Sequence, residues 1–224
     1  MPRLCLILFG SPGSGKGTQA KLLKESLGLA HISTGDMLRE RVASGDAVGR
    51  SVASLMQAGE LVPDETVNHL VEERIEQPDG GKGFILDGYP RTVQQAKLLA
   101  ELLVLRPIRT IVVHLVVDYN VIIARISGRR QCPVCGSLYG VTSNAPKTPG
   151  LCDLDGAKLA VRDDDREEVV RERLRAYEQQ TEPVLAFFRK SGIPCWDVPA
   201  ADVPPQTIAK GIEALIRKER GEAA

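Results

Sequence analysis

The sequence predicts an α/β protein built on a mainly parallel sheet, and three observations lead there. Strand-like apolar runs alternate with helix-like stretches along the whole chain, as in strands joined by helical crossovers. The longest runs, residues 4–9 and 111–117, suit buried strands and are far too short to span a bilayer. The first of them leads straight into GSPGSGKGT, residues 10–18, a glycine-rich turn that opens a helix.

In chain order, strands are expected over residues 3–9, near 31–32, and over 83–86, 110–116 and 194–198. Helices are expected over 15–27, 35–43, 50–58, 64–77, 92–105 and 120–127. Residues 165–190 form the longest helical candidate, with Val169, Val170, Leu174, Tyr177, Val184 and Phe188 at roughly 3.6-residue spacing. Pro183 should bend or break it, because proline lacks an amide donor and clashes with the preceding turn. A last helix over 205–218 carries Ile208, Ile212, Leu215 and Ile216 on one face. Residues 131–159 show neither period and are rich in Gly, Pro and Cys. That interval reads as a small insertion held together by something other than a hydrophobic core.

Length and composition set the outer limits. A chain of 224 residues can bury one sizeable core and carry excursions from it. Its 29 basic residues balance 29 acidic ones, which gives no support to broad nucleic-acid or membrane-surface binding. Nothing at the amino terminus resembles a signal peptide, so the cytoplasm is the expected compartment. Five cysteines are an odd number, and in a reducing compartment clustered cysteines are read first as metal or redox sites.

Gly10, Gly15 and Lys16 satisfy the phosphate-loop spacing, but Gly17 stands where the pattern has Ser or Thr, and the hydroxyl comes one place later, at Thr18. A buried strand, a glycine turn and a helix start aim several backbone amides at one point, where phosphate oxygens belong. Gly10, Gly13, Gly15 and Gly17 are expected to let the backbone approach the anion through positive-φ conformations. Lys16 can bridge the outer phosphates, and Thr18 can assist with phosphate or Mg²⁺.

Within the insertion, Cys132-Pro-Val-Cys135 is followed sixteen residues later by Cys152-Asp-Leu-Asp155. Two ligand pairs, each enclosing two residues, match the knuckles of a tetrahedral zinc site, with Asp155 in the fourth place and Asp153 as a substitute. A thioredoxin-like pair would leave Cys152 without a role. Cys5 and Cys195 fall in apolar strand candidates and read as core, as does Trp196. His31, His69 and His114 form no ligand spacing, and His31 reads as a packed or surface histidine.

Four further segments stand in order behind the phosphate loop: HISTGDMLR at 31–39, GELVPD at 59–64, GFILDGYPRT at 83–92, and Arg162-Asp163-Asp164 followed by Arg173. Together with the GKGT ending they resemble the adenylate kinases, over nearly the whole chain from Arg3 to about Ser191. The resemblance implies a P-loop NTPase-type fold: a parallel five-stranded sheet flanked by helices, with two mobile inserts. Residues 1–32, 63–124 and 164–224 would form the core, 33–62 the monophosphate-binding insert, and 125–163 a lid. It implies reversible phosphoryl transfer from ATP, with Mg²⁺, to AMP, giving two ADP.

By the same resemblance, Gly13, Ser14, Gly15, Lys16, Gly17, Thr18, Arg125 and Arg129 hold ATP. Thr34, Arg39, Glu60, Leu61, Val62, Gly88, Arg91, Gln95, Arg162 and Arg173 hold AMP, with Gln95 reading its base. Lys16, Arg91, Arg125, Arg129, Arg162 and Arg173 supply the catalytic charge, and Asp87 orients Mg²⁺ through water. Metal-bearing lids of the family use either Cys or Asp in the fourth place, which favours Cys132, Cys135, Cys152 and Asp155 around a structural Zn²⁺, with iron or cobalt as other thiolate-compatible ions. A monomer is expected, without nucleic-acid or membrane partners. Asp163 and Asp164 either bond a ribose or backbone in a closed lid or begin a helix, while Arg166, Arg171 and Arg175 read as solvated helix-face residues. The loop after Asp197, which starts Val198-Pro199 where the family has a small residue, leaves the contact to the ATP base unassigned.

A UMP or CMP kinase would carry a shorter lid. A GTPase-like switch would need an Asn/Thr-Lys-x-Asp segment, which the chain lacks, and a zinc-ribbon nucleic-acid binder would need a basic, aromatic surface.

Overall fold

The computed structural model describes residues 3–104, 108–140 and 144–221. The end of the helix expected over 92–105, three positions of the expected lid and both chain ends lie outside the described residues.

Five strands, β1 (Arg3–Phe9), β2 (Ala30–Ser33), β3 (Gly83–Asp87), β4 (Ile108–Val116) and β7 (Cys195–Pro199), form one parallel sheet in the order β2-β3-β1-β4-β7. The period-2 pattern of β1 divides the core. Cys5, Ile7 and Phe9 pack on one face beneath α4 (Asp64–Ile75), α5 (Val93–Val104) and α8 (Glu182–Lys190). Leu4, Leu6 and Leu8 pack on the other beneath α1 (Lys16–Leu27) and α9 (Pro205–Arg220). Since both faces are covered, the central strands are continuously apolar, which is why composition alone located them.

Capping sets the first two helices after β2. Ser33 accepts the Asp36 amide and starts α2 (Thr34–Ser44), while Asp46 accepts the Gly49 amide at 2.7 Å and starts α3 (Ala47–Ala58) three residues before the apolar pattern suggested. The long candidate over 165–190 is not continuous. Asp163–Asp165 form a 3₁₀ turn, α7 spans Glu167–Ala176, and a π-helical turn at Tyr177–Thr181 leads into α8. Pro183 lies in the first turn of α8, where its missing amide costs least, so the wider turn takes up the disruption the proline predicts.

Between α6 (Tyr119–Ser127) and α7 the chain leaves the core. Strands β5 (Arg129–Gln131) and β6 (Leu138–Gly140) pair antiparallel, and Ala160 pairs with the other edge of Gln131. The apolar content of this insertion is slight: Cys132, Tyr139, Cys152 and Leu159 form its whole buried cluster among the described residues.

Candidate active site

The carboxyl ends of the parallel strands open into a cleft of about 1280 Å³, in the crevice where open α/β sheets bind ligands. That exceeds the roughly 300–1,000 Å³ of sites for one small ligand. The phosphate loop forms its floor. Gly15 caps α1 at φ 101° with no side chain on the helix amides, so no side chain competes with an anion for them, although the Thr18 amide already donates to Gly15 O at 3.1 Å. Gly13, at φ 82°, lies so close to α6 that a Cβ would meet Ile126 Cγ1 at 2.8 Å.

Gly17 corrects the expectation that all four loop glycines need positive φ, because it is already helical. A Cβ there would approach Asp87 Oδ2 to 3.4 Å, at the end of β3. Position 17 thus faces that carboxylate, while Thr18, which carries the hydroxyl, is exposed. Lys16 folds back over the loop, donating from Nζ to the carbonyls of Gly10 (2.7 Å) and Ser11 (2.9 Å). Ser14 is buried, and its Oγ has no partner among the described residues.

Eight cations line this cleft: Lys16, Lys21, Arg39, Arg91, Arg125, Arg129, Arg162 and Arg173. All but Lys21 were expected from the sequence, and carboxylates and carbonyls hold them apart. Asp165, fully buried, takes both Nε and a terminal nitrogen of Arg129 and lies 3.3 Å from Arg173. Asp164 pairs with Arg173 at 3.0 Å and Arg39 at 3.7 Å. Arg91 Nε donates to Gly88 O at 2.8 Å, and Arg162 Nε to Gln131 Oε1 at 2.6 Å. Arg125 reaches the other way, to the carbonyls of Ala200 (2.7 Å) and Ala201 (2.5 Å).

This crowding shifts the charges. Burial, with Arg91, Arg173 and Arg129 adding to it against the pull of Asp87, brings Lys16 down to about 8. Burial and the neighbouring Arg173 lower Arg91 to about 10, and burial with Arg39 and Arg129 lowers Arg162 to about 10. Burial opposes the charge of Arg129 as well, but Asp165 outweighs it and holds that guanidinium up. A protein does not gather cations at this cost in stability unless an anion completes the site.

The remaining expected residues are placed as follows. Gly88, at φ 80°, accepts the Thr34 hydroxyl at 2.9 Å, and Thr34 is buried behind the wall. Leu61 and Gly59 line the cleft, whereas Glu60 points to solvent and Val62 joins the core. Gln95 is buried and lies off the cleft; its Oε1 accepts the Arg91 amide at 2.7 Å and its Nε2 donates to Asp64 at 2.8 Å. Asp87 lines the cleft within 3.3 Å of His31 Nε2, so His31 is packed, as read, but packed against a site carboxylate.

Sequence reasoning missed Asp165, Gln131 and Gln19. Gln19 is buried, donates to Pro205 O at 3.1 Å, and so ties α1 to the segment 200–206, which walls the far end of the cleft. A polar residue at a core-facing position of an amphipathic helix is the one signal that marks it. Trp196 and Cys195 are only half-buried, with Lys218 over the indole ring, because β7 is an edge strand.

In the insertion, one donor atom from each of Cys132, Cys135, Cys152 and Asp155 lies within 4.8 Å of the others. Cys135 and Cys152 sulfurs are 3.5 Å apart, and Cys132 Sγ lies 3.2 Å from Asp155 Oδ2. Ligands about 2.3 Å from a tetrahedral zinc stand roughly 3.7 Å from one another, so the set fits a closed four-ligand site. The Val134 and Cys135 amides point at Cys132 Sγ, as suits a thiolate. Asp153 turns away to the Lys147 amide and is outside this cluster.

Comparison with known proteins fits this geometry. The family model described as adenylate kinase matches residues 8–193. An adenylate kinase of Archaeoglobus fulgidus is 48% identical over 215 residues, which is 95% of this chain and 98% of the relative. One from Thermosipho melanesiensis is 49% identical over 188 residues, 83% and 87% of the two chains. One from Anaeromyxobacter dehalogenans is 46% identical over 220 residues, 97% and 100%.

Proposed function

The chain belongs to the adenylate kinase family, and from that premise we propose how its residues perform the family's reaction. It is a phosphotransferase that moves the terminal phosphoryl group of ATP reversibly to AMP, giving two ADP. The observation that carries the proposal is the gathering of eight cations around one cleft, above a helix start that no side chain caps.

ATP, entering as its Mg²⁺ complex, lays its phosphates on residues 13–18, with Lys16 at the outer phosphates and Arg125 and Arg129 beside them. Asp87 orients the substrate's Mg²⁺ through water. The base of ATP lies against the segment 200–206, whose carbonyls Arg125 steadies. AMP takes the opposite half, between Leu61, Gly88 and Arg39, with Arg91, Arg162 and Arg173 on its phosphate. Gln95 reaches the AMP base only by giving up Asp64; in the arrangement seen it braces the Arg91 amide instead.

No general base is needed. A phosphate monoester has a second pKa of about 6, so the attacking oxygen of AMP is already largely deprotonated near pH 7. The residues align two polyanions in line, spread the charge of the transferring group, and exclude the water that would otherwise accept it. Residues 33–62 and 125–163 are the inserts that close on AMP and ATP. Contacts between the insertion and the floor support this: Lys21 of α1 donates to Gly136 O at 3.3 Å. Zn²⁺ bound by Cys132, Cys135, Cys152 and Asp155 would be structural, giving rigidity to a flap with almost no core of its own.

One chain holds both half-sites, so we infer a monomer. Clustered cysteines that bind metal and do not pair suit a reducing compartment, from which we infer the cytoplasm; among the described residues no helix is long and apolar enough to cross a membrane.

Incubation with ADP and Mg²⁺ alone tests the reading: ATP and AMP should appear in equal amounts. Lys16→Met should lower that turnover by orders of magnitude with the thermal midpoint nearly unchanged. Loss of fold in step with activity would remove Lys16 from the chemistry.

A further inference from the structure

Arg162 differs from Arg129 and Arg173 in what holds it. Arg129 and Arg173 rest on buried carboxylates, but among the described residues the guanidinium of Arg162 has one hydrogen bond, from Nε to Gln131 Oε1 at 2.6 Å. We propose that Gln131 is a positioning residue for phosphoryl transfer, aiming Arg162 at the transferring group and tying that aim to the metal-binding knuckle.

The backbone of Gln131 is fixed from both sides. Its amide donates to Ala160 O at 2.8 Å and its carbonyl accepts the Ala160 amide at 2.9 Å, while its other edge pairs with Leu138. It is therefore the centre of the insertion's small sheet, directly before the ligand Cys132. The antiparallel pairing of Gln131 with Ala160 brings Arg162, two residues on, within reach of the Gln131 side chain.

The amide then bridges. While Oε1 holds Arg162, Nε2 points at Gly136 O, 3.5 Å away in the Cys132–Cys135 turn, the same carbonyl that Lys21 of the phosphate-loop helix approaches. The knuckle turn, Gln131 and Arg162 form one continuous strut, which a metal bound by Cys132, Cys135, Cys152 and Asp155 would stiffen. A bond at Nε also leaves both terminal nitrogens of Arg162 free to grip two phosphate oxygens.

A neutral acceptor suits the place. Arg162 lies in the field of Arg39 and Arg129, which repel it, and of Asp164 and Asp36, which attract it, but neither carboxylate is hydrogen-bonded to it among the described residues, so the bond to Gln131 is what fixes its direction. A carboxylate would restrain it and also cancel charge intended for phosphate. An amide restrains it and leaves the charge intact.

The inference rests on the adenylate kinase reading, and the test separates the two. Gln131→Met keeps side-chain length and removes the acceptor. It should lower kcat about tenfold with KM for ATP and AMP changed less than threefold, while metal content and thermal midpoint stay at the values of the unaltered protein. In an Arg162→Met background the same substitution should cost nothing further, because the arginine it aims is gone. Gln131→Glu, which keeps an acceptor but sets a carboxylate against the guanidinium, should restore the aim without the full charge and so recover only part of the lost rate. An unchanged kcat in Gln131→Met, an equal tenfold loss in both backgrounds, or loss of bound metal would each overturn the inference. Failure of the unaltered protein to convert ADP would instead overturn the functional reading beneath it.

Discussion

Lys16 sits where its own charge is disfavoured, and pH makes that measurable. Its folded-state value of about 8 lies below the usual lysine value of 10.5, so between those limits the folded protein binds fewer protons than the unfolded chain. This group's contribution to stability accordingly rises with pH from about 8 to 10.5, and its full cost is present below 8. Nucleotide reverses the preference, because phosphate oxygens favour the ammonium form. ADP binding at pH 8.5 should therefore take up well over half a proton, and affinity should fall as pH rises beyond 8. Calorimetric titration in two buffers of different ionisation enthalpy reads the uptake, and heats that do not depend on the buffer would refute it. At this scale the sequence showed the cations but not what aims them. Arg129 and its partner Asp165 are 36 residues apart, and nothing in either neighbourhood of the sequence joins them. Gln131 reads as an ordinary polar residue until the Ala160 pairing places it beside Arg162.

The insertion between α6 and α7 shows what an element needs when it lacks a core. Its buried cluster among the described residues is four residues, two of them cysteines of the candidate metal site, which cannot offset the entropy of ordering a segment of this length. Cys132→Ser should thus lower metal content and the thermal midpoint while reducing kcat more mildly than Lys16→Met does. Unchanged metal stoichiometry by elemental analysis of protein purified without added metal would refute the ligand set. The ligand spacing was legible because a knuckle is a local pattern. That spacing put Asp155 in the fourth place with Asp153 as a substitute, and the structure adds that Asp155 lies in the cluster while Asp153 turns to the Lys147 amide. Elsewhere, period and caps located the helices to within a few residues. The π turn at Tyr177–Thr181 was hidden, because the apolar pattern runs through it and Pro183 marks a disruption without giving its form.

Across the whole molecule the charge balance conceals a strong local field. Totals of 29 and 29 indicate a protein with no electrostatic preference, yet eight cations share one cleft while many of the acids pair with surface arginines such as Arg41, Arg74 and Arg189. The composition gives no sign of this concentration, which only the fold shows. Two consequences differ in their response to salt. Attraction between this cleft and a nucleotide acts over distances comparable to the Debye length, about 10 Å at 0.1 M and 3 Å at 1 M, so added salt weakens capture. The sheet and its two apolar layers depend on burial, which potassium chloride scarcely alters. Raising potassium chloride from about 0.05 to 0.5 M should therefore increase KM for both ATP and AMP several-fold, with kcat less affected and the thermal midpoint almost constant. Equal sensitivity of KM and the midpoint would mean that the cations serve the fold and not the substrates.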